Sequence, residues 1–311
     1  MGVSRANLGR GPAIVTIGGD TLFTRDDLVL RHAPVWNPVM TSMYGTVDKA
    51  KRDLMIRIPL RLWGSWENLQ VLFPSALMNP IAGTSVFGTA DNPVVVQARN
   101  GDRITYPNGQ ITKLANLYLG VDAELWAADV EITALIKNNA NPEDAGAYFV
   151  LDSNAYTDSA FAKTNFKKVR WTGAWGAKTG FTTIVPQKGF QVSWTLSLKP
   201  LPVDGYGTVD MTVQDMIAGV KCIPIGPTLA QGELVANSQG SAMGAALSNA
   251  TTAAADLTLT GAGGGSVVAK SAGMTENGFA FGVEPLRIGE MAWETTRGFA
   301  AGVPAIVASA S

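Results

Sequence analysis

The chain has 311 residues and a formal net charge of -1, with 46% hydrophobic and only 16% charged residues. This length indicates two domains or one large β-sheet protein. One cysteine, Cys222, and one histidine, His32, exclude a disulfide framework, a CxxC zinc site and a histidine-rich metal cluster. The balanced charge argues against strong global attraction to nucleic acid or acidic membranes, and no stretch reaches the length of an apolar membrane helix. We expect a soluble protein without metal or cofactor.

Alternating apolar and polar side chains dominate the chain and predict β-strands. The alternation covers residues 28–36, 53–62, 130–136, 190–198 and 216–222. A further pair of strands is predicted around Asn100-Gly101, because this dipeptide readily supplies the positive φ angles of a tight hairpin. The phase of the alternation places His32 and Cys222 on core-facing positions, where we interpret both as structural.

One short helix is predicted to begin at Ser65, whose hydroxyl can cap the first free amides, with Glu67 favourably placed in the first turn. The segment from Gln239 to Ala255 consists almost wholly of small and polar residues. It is too poor in large side chains to form a packed core, and we expect a loop there.

The connection from Trp36 to Asp48 is unusually apolar for a loop between strands, and apolar loops commonly dock on a partner. A similar connection follows Pro200. The candidate contact residues between subunits or rings are Val39, Met40, Met43, Tyr44, Leu201, Val203 and Tyr206. Folding of both loops onto their own domains is the alternative.

The two connections belong to an internal repeat. The pentapeptide Tyr-Gly-Thr-Val-Asp at 44–48 recurs at 206–210, an offset of 162 residues, and the same offset joins many glycines, prolines and other residues. Because glycine and proline fix turns, the repeat indicates a duplicated fold. We predict a first β domain at 1–149, a linker at 150–172 and a second β domain at 173–311. Each domain is expected to be a β-sandwich or barrel with one short α-helix.

Catalytic chemistry finds little support in the sequence. Gly176-Ala177-Lys178-Thr179 lacks the glycines of a phosphate-binding loop, and the glycine-rich segment at 261–266 is better explained as a turn. Carboxylate pairs such as Asp26-Asp27 lie in turn-like sequence. We therefore predict no enzyme activity and no catalytic, cofactor-binding or metal-binding residues.

The succession of pieces over residues 11–149 resembles the tail tube proteins of long-tailed bacteriophages. The pieces are GPAIVTIGGDTLFT at residues 11–24, a strand, the YGTVD-containing connection, LMIRIPLRLWGSWENLQVLF at 54–73, and the segment 83–88. None of these pieces is a catalytic motif, and the internal repeat extends the resemblance to the second half.

The resemblance implies a structural protein of the virion tail that is made in the host cytoplasm. It implies stacked rings whose inner strands join across subunits around a channel for DNA, with the apolar connections contacting the next ring. Its implied partners are other copies of the chain, the tape measure protein and genomic DNA in the lumen, and the tail terminator and tail-tip proteins, but no membrane. The resemblance also implies sixfold rings of single-unit chains; since this chain holds two units, we predict trimeric rings with pseudo-sixfold symmetry.

Two alternatives remain open from the sequence. The first is another virion component, such as a tail terminator or a capsid decoration protein, which would not polymerise. The second is a carbohydrate-binding or hydrolytic β-sandwich. For that function the indole rings of Trp63, Trp66, Trp171 and Trp175 could serve as sugar platforms.

Overall fold

A computed structural model describes residues 13–24, 28, 30–64, 66–78, 82–120, 126–155, 170–176, 183–225, 255–280, 287–295 and 304–309. The fold is mainly β, as predicted, and its strands pair antiparallel. The strands are β1 (Ile14–Ile17), β2 (Asp20–Thr24), β3 (Val35–Thr41), β4 (Gly45–Asp53), β5 (Ile56–Gly64), β6 (Val94–Gln97), β7 (Asp102–Tyr106), β8 (Asn108–Leu119), β9 (Trp126–Leu135), β10 (Val150–Ser153), β11 (Trp171–Trp175), β12 (Pro186–Val203), β13 (Gly207–Pro224), β14 (Ala255–Gly261), β15 (Ser266–Ala280), β16 (Arg287–Thr295) and β17 (Ile306–Ser309).

Fifteen strands form one sheet that runs through both halves of the chain. Its order is β10-β7-β6-β1-β2-β5-β9-β8-β12-β13-β16-β15-β14-β11, and β17 also pairs with β15. The halves join where β8 pairs with β12. Because β10 and β11 are separate edges, the described strands do not close into the expected barrel. The domain boundaries stay a prediction; the proposed linker begins with β10, and β11 starts at Trp171.

A single hydrophobic core extends over both halves and includes residues from Val15 to Ile306. Alternation on β5, where Ile56, Ile58 and Leu60 are buried between exposed residues, shows how period-two sequence supplies that core. Cys222 lies inside, as predicted, and burial raises the pKa of its thiol to about 12.

The helical segment lies between the halves. It comprises a 3-10 helix (Trp66–Leu72) and α1 (Ser75–Met78), so the helix predicted near Ser65 is present in irregular form. The indole Nε1 of Trp194 donates a 3.0 Å hydrogen bond to the carbonyl of Leu72. The backbone N–H of Ala305 donates to the carbonyl of Met78 at 2.7 Å. The helix expected in the second half lies outside the described residues, as does the small-residue segment except Ala255.

Two sequence predictions, for the segment 28–34 and for the connection 36–48, are wrong. The described residues between Leu28 and Pro34 are not in a strand, although their alternation matches β12; strand structure begins only at Val35. The Trp36 to Asp48 connection is not a loop, since β3 and β4 form a hairpin there as a separate two-stranded sheet. The hairpin at Asn100-Gly101 is confirmed, with Gly101 at φ 96° joining β6 and β7.

Candidate assembly interface

Two β-hairpins project from the two halves, and both contain the repeated pentapeptide. Arm one consists of β3 and β4, residues 35–53. Arm two is the outer part of the β12–β13 hairpin, residues 197–215. In arm one Trp36 pairs with Lys51 and Thr41 with Gly45. The residues 162 positions later, Leu198 with Val213 and Val203 with Gly207, pair in the same register.

The irregularities of the two ladders also coincide. Register shifts occur between Val35 and Trp36 and between Val39 and Met40 in arm one. In arm two they occur at the equivalent steps, Ser197 to Leu198 and Leu201 to Pro202. Local hydrogen bonds follow the same pattern, because the amides of Lys49 and Met211 each donate to the preceding aspartate at 2.7 Å. The sequence repeat is therefore also a repeat of backbone pairing and bulge position.

Arm two is packed on the first half of its own chain. The segment around Thr84 runs along its outer edge: Val213 donates to the carbonyl of Thr84 at 3.0 Å and accepts from Gly83 at 2.8 Å. The side chain of Val213 is fully buried there, and that of Met211 nearly so. This edge of β13 is therefore paired and covered.

The tip of arm two meets the base of arm one through Asp53. One carboxylate oxygen of Asp53 accepts from the backbone N–H of Thr208 at 2.9 Å, and the other accepts from the Thr208 hydroxyl at 2.6 Å. Gly207 lies so close that a Cβ there would be 2.7 Å from the Asp53 carboxylate. Tyr206 adds a 3.0 Å hydrogen bond from its hydroxyl to the side-chain oxygen of Asn141.

Arm one has no equivalent cover within the described part of the chain. Every residue of β3 and all of β4 except Asp53 are exposed. Gly45, the counterpart of Gly207, has φ 70° against 75°, yet no described atom lies within 4 Å of a Cβ built on it. The same hairpin geometry thus occurs twice: arm two packs on the first half of the chain, and arm one is exposed.

All seven contact residues predicted from sequence are exposed on the two arms. Met43 and Tyr44 are the most accessible, at 82% and 78%, whereas Tyr206 and Leu201 are partly shielded at 40% and 38%. The remaining three, Val39, Met40 and Val203, are also exposed. Their contacts with a partner stay a prediction. Sequence reasoning missed the Thr208–Asp53 contact, although both residues recur at the shared offset as Thr46 and Asp215.

A second difference between the halves concerns the edges of the large sheet. The outer edge of β8 pairs with β12, from Lys113 with Thr195 to Leu119 with Phe190. The counterpart of β8 is the later part of β15, where the described strand partner of residues 276–280 is β16 alone. The counterpart of β12 is the segment 28–34, whose described residues, 28 and 30–34, lack strand pairing. One edge is thus completed within the chain, and its equivalent is open among the described residues.

His32 lies in that unpaired segment, at the position equivalent to Trp194. Its Nε2 lies 2.9 Å from the Tyr106 hydroxyl, and its ring packs against Phe149 at 4.5 Å between centroids. Partial burial lowers the pKa of His32. These contacts agree with the structural role assigned to this histidine from sequence.

The face of the central strands that points away from the core carries charges of both signs. Arg61 pairs with Asp129 at 3.1 Å across β5 and β9, and Lys221 pairs with Glu290 at 3.1 Å across β13 and β16. Hydrogen bonding to Glu290 raises the pKa of Lys221. We refer to this side of β5, β9, β8, β12, β13 and β16 as the mixed-charge face.

The residues offered for sugar binding are poorly placed for it. Trp66, Trp171 and Trp175 are buried, and Trp63 is half-buried. The indole rings of Trp66 and Trp171 pack together at 5.2 Å between centroids. The Trp66–Trp171 pair joins the two halves, and the three buried indole rings present no open face.

No group of acidic, histidine or cysteine side chains suited to a metal ion occurs among the described residues. Across the same ranges, no helix combines the length and apolar character needed to cross a lipid bilayer. No protein-family model matches the sequence, and no curated protein matches it significantly.

Proposed function

We propose that this chain is a structural protein that assembles as stacked rings into the tail tube of a bacteriophage, around a channel for DNA. The observation that carries the proposal concerns the described residues: among them, residues 276–280 of β15 have an open strand edge, and residues 28 and 30–34 have no strand pairing. In the same chain the equivalent pair, β8 and β12, is joined. Unpaired edges demand partners, and identical chains can supply them to one another.

The alternation of residues 28–34 supports this reading of the open edge. Phe190, Val192 and Trp194 of β12 pair with both β8 and β13, so β12 is a central strand. The equivalent residues Leu28, Leu30 and His32 fit the same pattern but have strand pairing on neither side. A sequence that alternates like a central strand can become one when a second copy brings the edge of β15 alongside it.

The proposed number of chains in a ring depends on the number of units in each chain. A contact between the second half of one chain and the first half of the next is heterologous, and it forms a closed ring when the rotation per chain divides a full turn. Most proteins of the tail tube family that the sequence resembles have one such unit and form sixfold rings; with two units per chain, we propose three chains and six units per ring. Apolar side chains exposed on the arms would then contact the next ring, so that the rings extend into a tube.

The mixed-charge face is suited to line the channel. A strongly basic lumen would hold the phosphate backbone through counterion release and slow its passage. On this face, Arg61 and Lys221 are each engaged with a carboxylate, and acidic residues such as Glu131 and Glu294 lie beside them. Such a surface lets DNA slide without strong binding.

The experiment is electron microscopy of the purified full-length chain, with mass per ring measured alongside the axial symmetry. We expect tubes whose rings contain three chains and show six similar features. Arg31→Pro should prevent rings, because proline is excluded from central strands, whereas the matched Arg31→Ala variant should still assemble. A chain that stays monomeric at high concentration under all ionic conditions would refute the proposal, and single rings or caps without tubes would favour a terminator or decoration protein.

A further inference from the structure

Among the described residues, only one of the two equivalent arms has a docking partner. We propose that arm one docks on the second half of another copy of this chain, with Thr46 donating to Asp215 of that copy. The docking repeats between chains the contact that Thr208 and Asp53 make within one chain. This inference rests on the proposed self-assembly and specifies where one chain holds the next.

The donor side of the contact is complete on arm one. Thr46 and Gly45 match Thr208 and Gly207 in residue type, in register and, for the glycines, in positive φ. In arm two this geometry aims both the amide and the hydroxyl of the threonine at one carboxylate. Arm one holds Thr46 in the same way, but on an exposed strand.

The acceptor side is complete on the second half. Asp215 has the place in the β12–β13 ladder that Asp53 has in arm one, opposite Ser197 where Asp53 is opposite Val35. Its side chain is exposed, and it accepts a 2.8 Å hydrogen bond from the amide of Met216. Because the side chain is exposed, its second oxygen can accept from an incoming threonine.

One chain cannot make this second contact with itself in the conformation observed. The tip of arm two already lies at the base of arm one, against Asp53. The tip of arm one lies in open space among the described residues, since nothing comes within 4 Å of the Gly45 Cβ position. A head-to-tail neighbour presents its own Asp215 to that tip and leaves its own arm one for the next chain.

The two arms differ on the edge that would be covered. Arm two carries Met211 and Val213, which are buried against the first half, whereas arm one has Lys49 and Lys51 at these positions. Arm two docks as the chain folds, but arm one must remain in water until a neighbour arrives. Lysines on an exposed strand edge oppose unspecific edge-to-edge pairing, so they fit an arm that docks late and reversibly. The Thr46–Asp215 contact then selects the correct partner.

Disulfide trapping in the full-length chain tests this docking. Cys222→Ala removes the native thiol, and Thr46→Cys with Asp215→Cys places one thiol on each side of the proposed contact. After assembly and oxidation we expect a ladder of covalent dimers and larger species on non-reducing gels. Thr208→Cys with Asp53→Cys is the positive control and should link within one chain, while Thr46→Cys with Asp53→Cys should give no ladder.

A variant without new cysteines provides an independent measurement. Asp215→Ala should raise the concentration needed for half-maximal assembly by roughly tenfold to a hundredfold, because a charge-assisted hydrogen bond is lost. Tubes that form normally without a 46–215 link, and with Asp215→Ala as effective as the wild type, would overturn the docking and leave the proposed function standing. A link confined to single chains would also overturn it. Absence of any assembly by the wild-type chain would refute both.

Discussion

Arm one and arm two have the same hairpin register and the same bulges, yet they have opposite surroundings. Arm two is paired along its outer edge by the segment around Thr84 and is anchored at its tip by Asp53. Arm one is exposed along both strands. The local sequence therefore determines the shape of the hairpin. The presence or absence of a packed neighbour determines which side chains are tolerated on it.

The side chains on the two arms differ in the same way as their surroundings. The covered edge of arm two has Met211 and Val213, and the open edge of arm one has Lys49 and Lys51. Burying an apolar side chain stabilises by about 1.5 to 3 kcal/mol, whereas a lysine in the same place must lose its hydration. The two arms thus share their backbone pairing, while the side chains of arm two suit a permanent neighbour inside the chain.

Exchanging these side chains between the arms has the largest expected effect. Met211→Lys with Val213→Lys places two charges under the segment around Thr84. We expect a loss of more than about 3 kcal/mol in the free energy of unfolding, or release of arm two, because the two ammonium groups would lose their hydration there. Urea unfolding of the dilute chain measures the loss.

The reciprocal exchange is the matched control. Lys49→Met with Lys51→Val should change the unfolding free energy of the dilute chain by less than about 1 kcal/mol. The main loss is the contact of Lys51 with the Tyr148 ring, 4.6 Å from its centroid. The same variant should associate more readily. Equal destabilisation by the two exchanges would show that the arms do not differ in cover.

The next largest loss of stability is expected from replacing one of the two equivalent aspartates, Asp53 and Asp215. Asp53→Ala removes the acceptor of both Thr208 hydrogen bonds and leaves a partly buried amide without its partner. We expect a loss of about 1.5 to 3 kcal/mol. Asp215→Ala removes an exposed side chain and should cost less than about 0.5 kcal/mol. Chemical unfolding at concentrations where the chain is monomeric compares the two, and a similar loss from both would contradict the assignment.

Much of the fold could be predicted because it depends on local alternation. The strands containing Ile58, Val130 and Trp194 follow from period-two patterns, and the hairpin at Gly101 follows from its turn residues. The repeat located both arms and their exposed side chains. Pairing between distant strands could not be predicted, because alternation shows which face is buried but not which strand lies alongside.

The segment 28–34 shows this limit most clearly. Its pattern is that of a strand, yet its described residues, 28 and 30–34, are unpaired within one chain. The prediction was wrong for the isolated chain because a strand needs a ladder as well as a pattern. The prediction for the connection 36–48 was wrong in the opposite sense. Its apolar and glycine residues indicated a loop, whereas its residues pair in the register of a continuous hairpin.

A smaller loss of stability is expected at the turn glycines, where one variant serves as the control for the other. Gly45→Ala and Gly207→Ala both place a Cβ on a residue with positive φ, which costs about 1 kcal/mol. Only Gly207→Ala also forces the new Cβ toward the Asp53 carboxylate, at 2.7 Å. We expect Gly207→Ala to be about 1 kcal/mol more destabilising in thermal or urea unfolding. Identical losses would mean that arm two does not pack on Asp53.

The smallest effect concerns the segments that lead into the arms, where His32 is equivalent to Trp194. Burial lowers the pKa of His32 in the folded chain. The unfolded chain therefore binds the proton more tightly, and the stability from this group is present above the unfolded pKa of about 6.5 and is lost as the pH falls below it. His32→Gln should flatten the pH dependence of urea unfolding between about pH 5 and pH 7, without a comparable change above pH 7.

Assembly should enlarge this pH dependence. When segment 28–34 completes the sheet of a neighbour, His32 takes the environment of Trp194, which is almost fully buried. Its pKa then falls further, so protonation opposes assembly as well as folding. Sedimentation at pH 5.5 and pH 7.5 should therefore show weaker association of the wild-type chain at the lower pH, and His32→Gln should lose most of that difference. Equal pH dependence in both variants would show that His32 stays outside the contact between chains, and that segment 28–34 is not the missing strand.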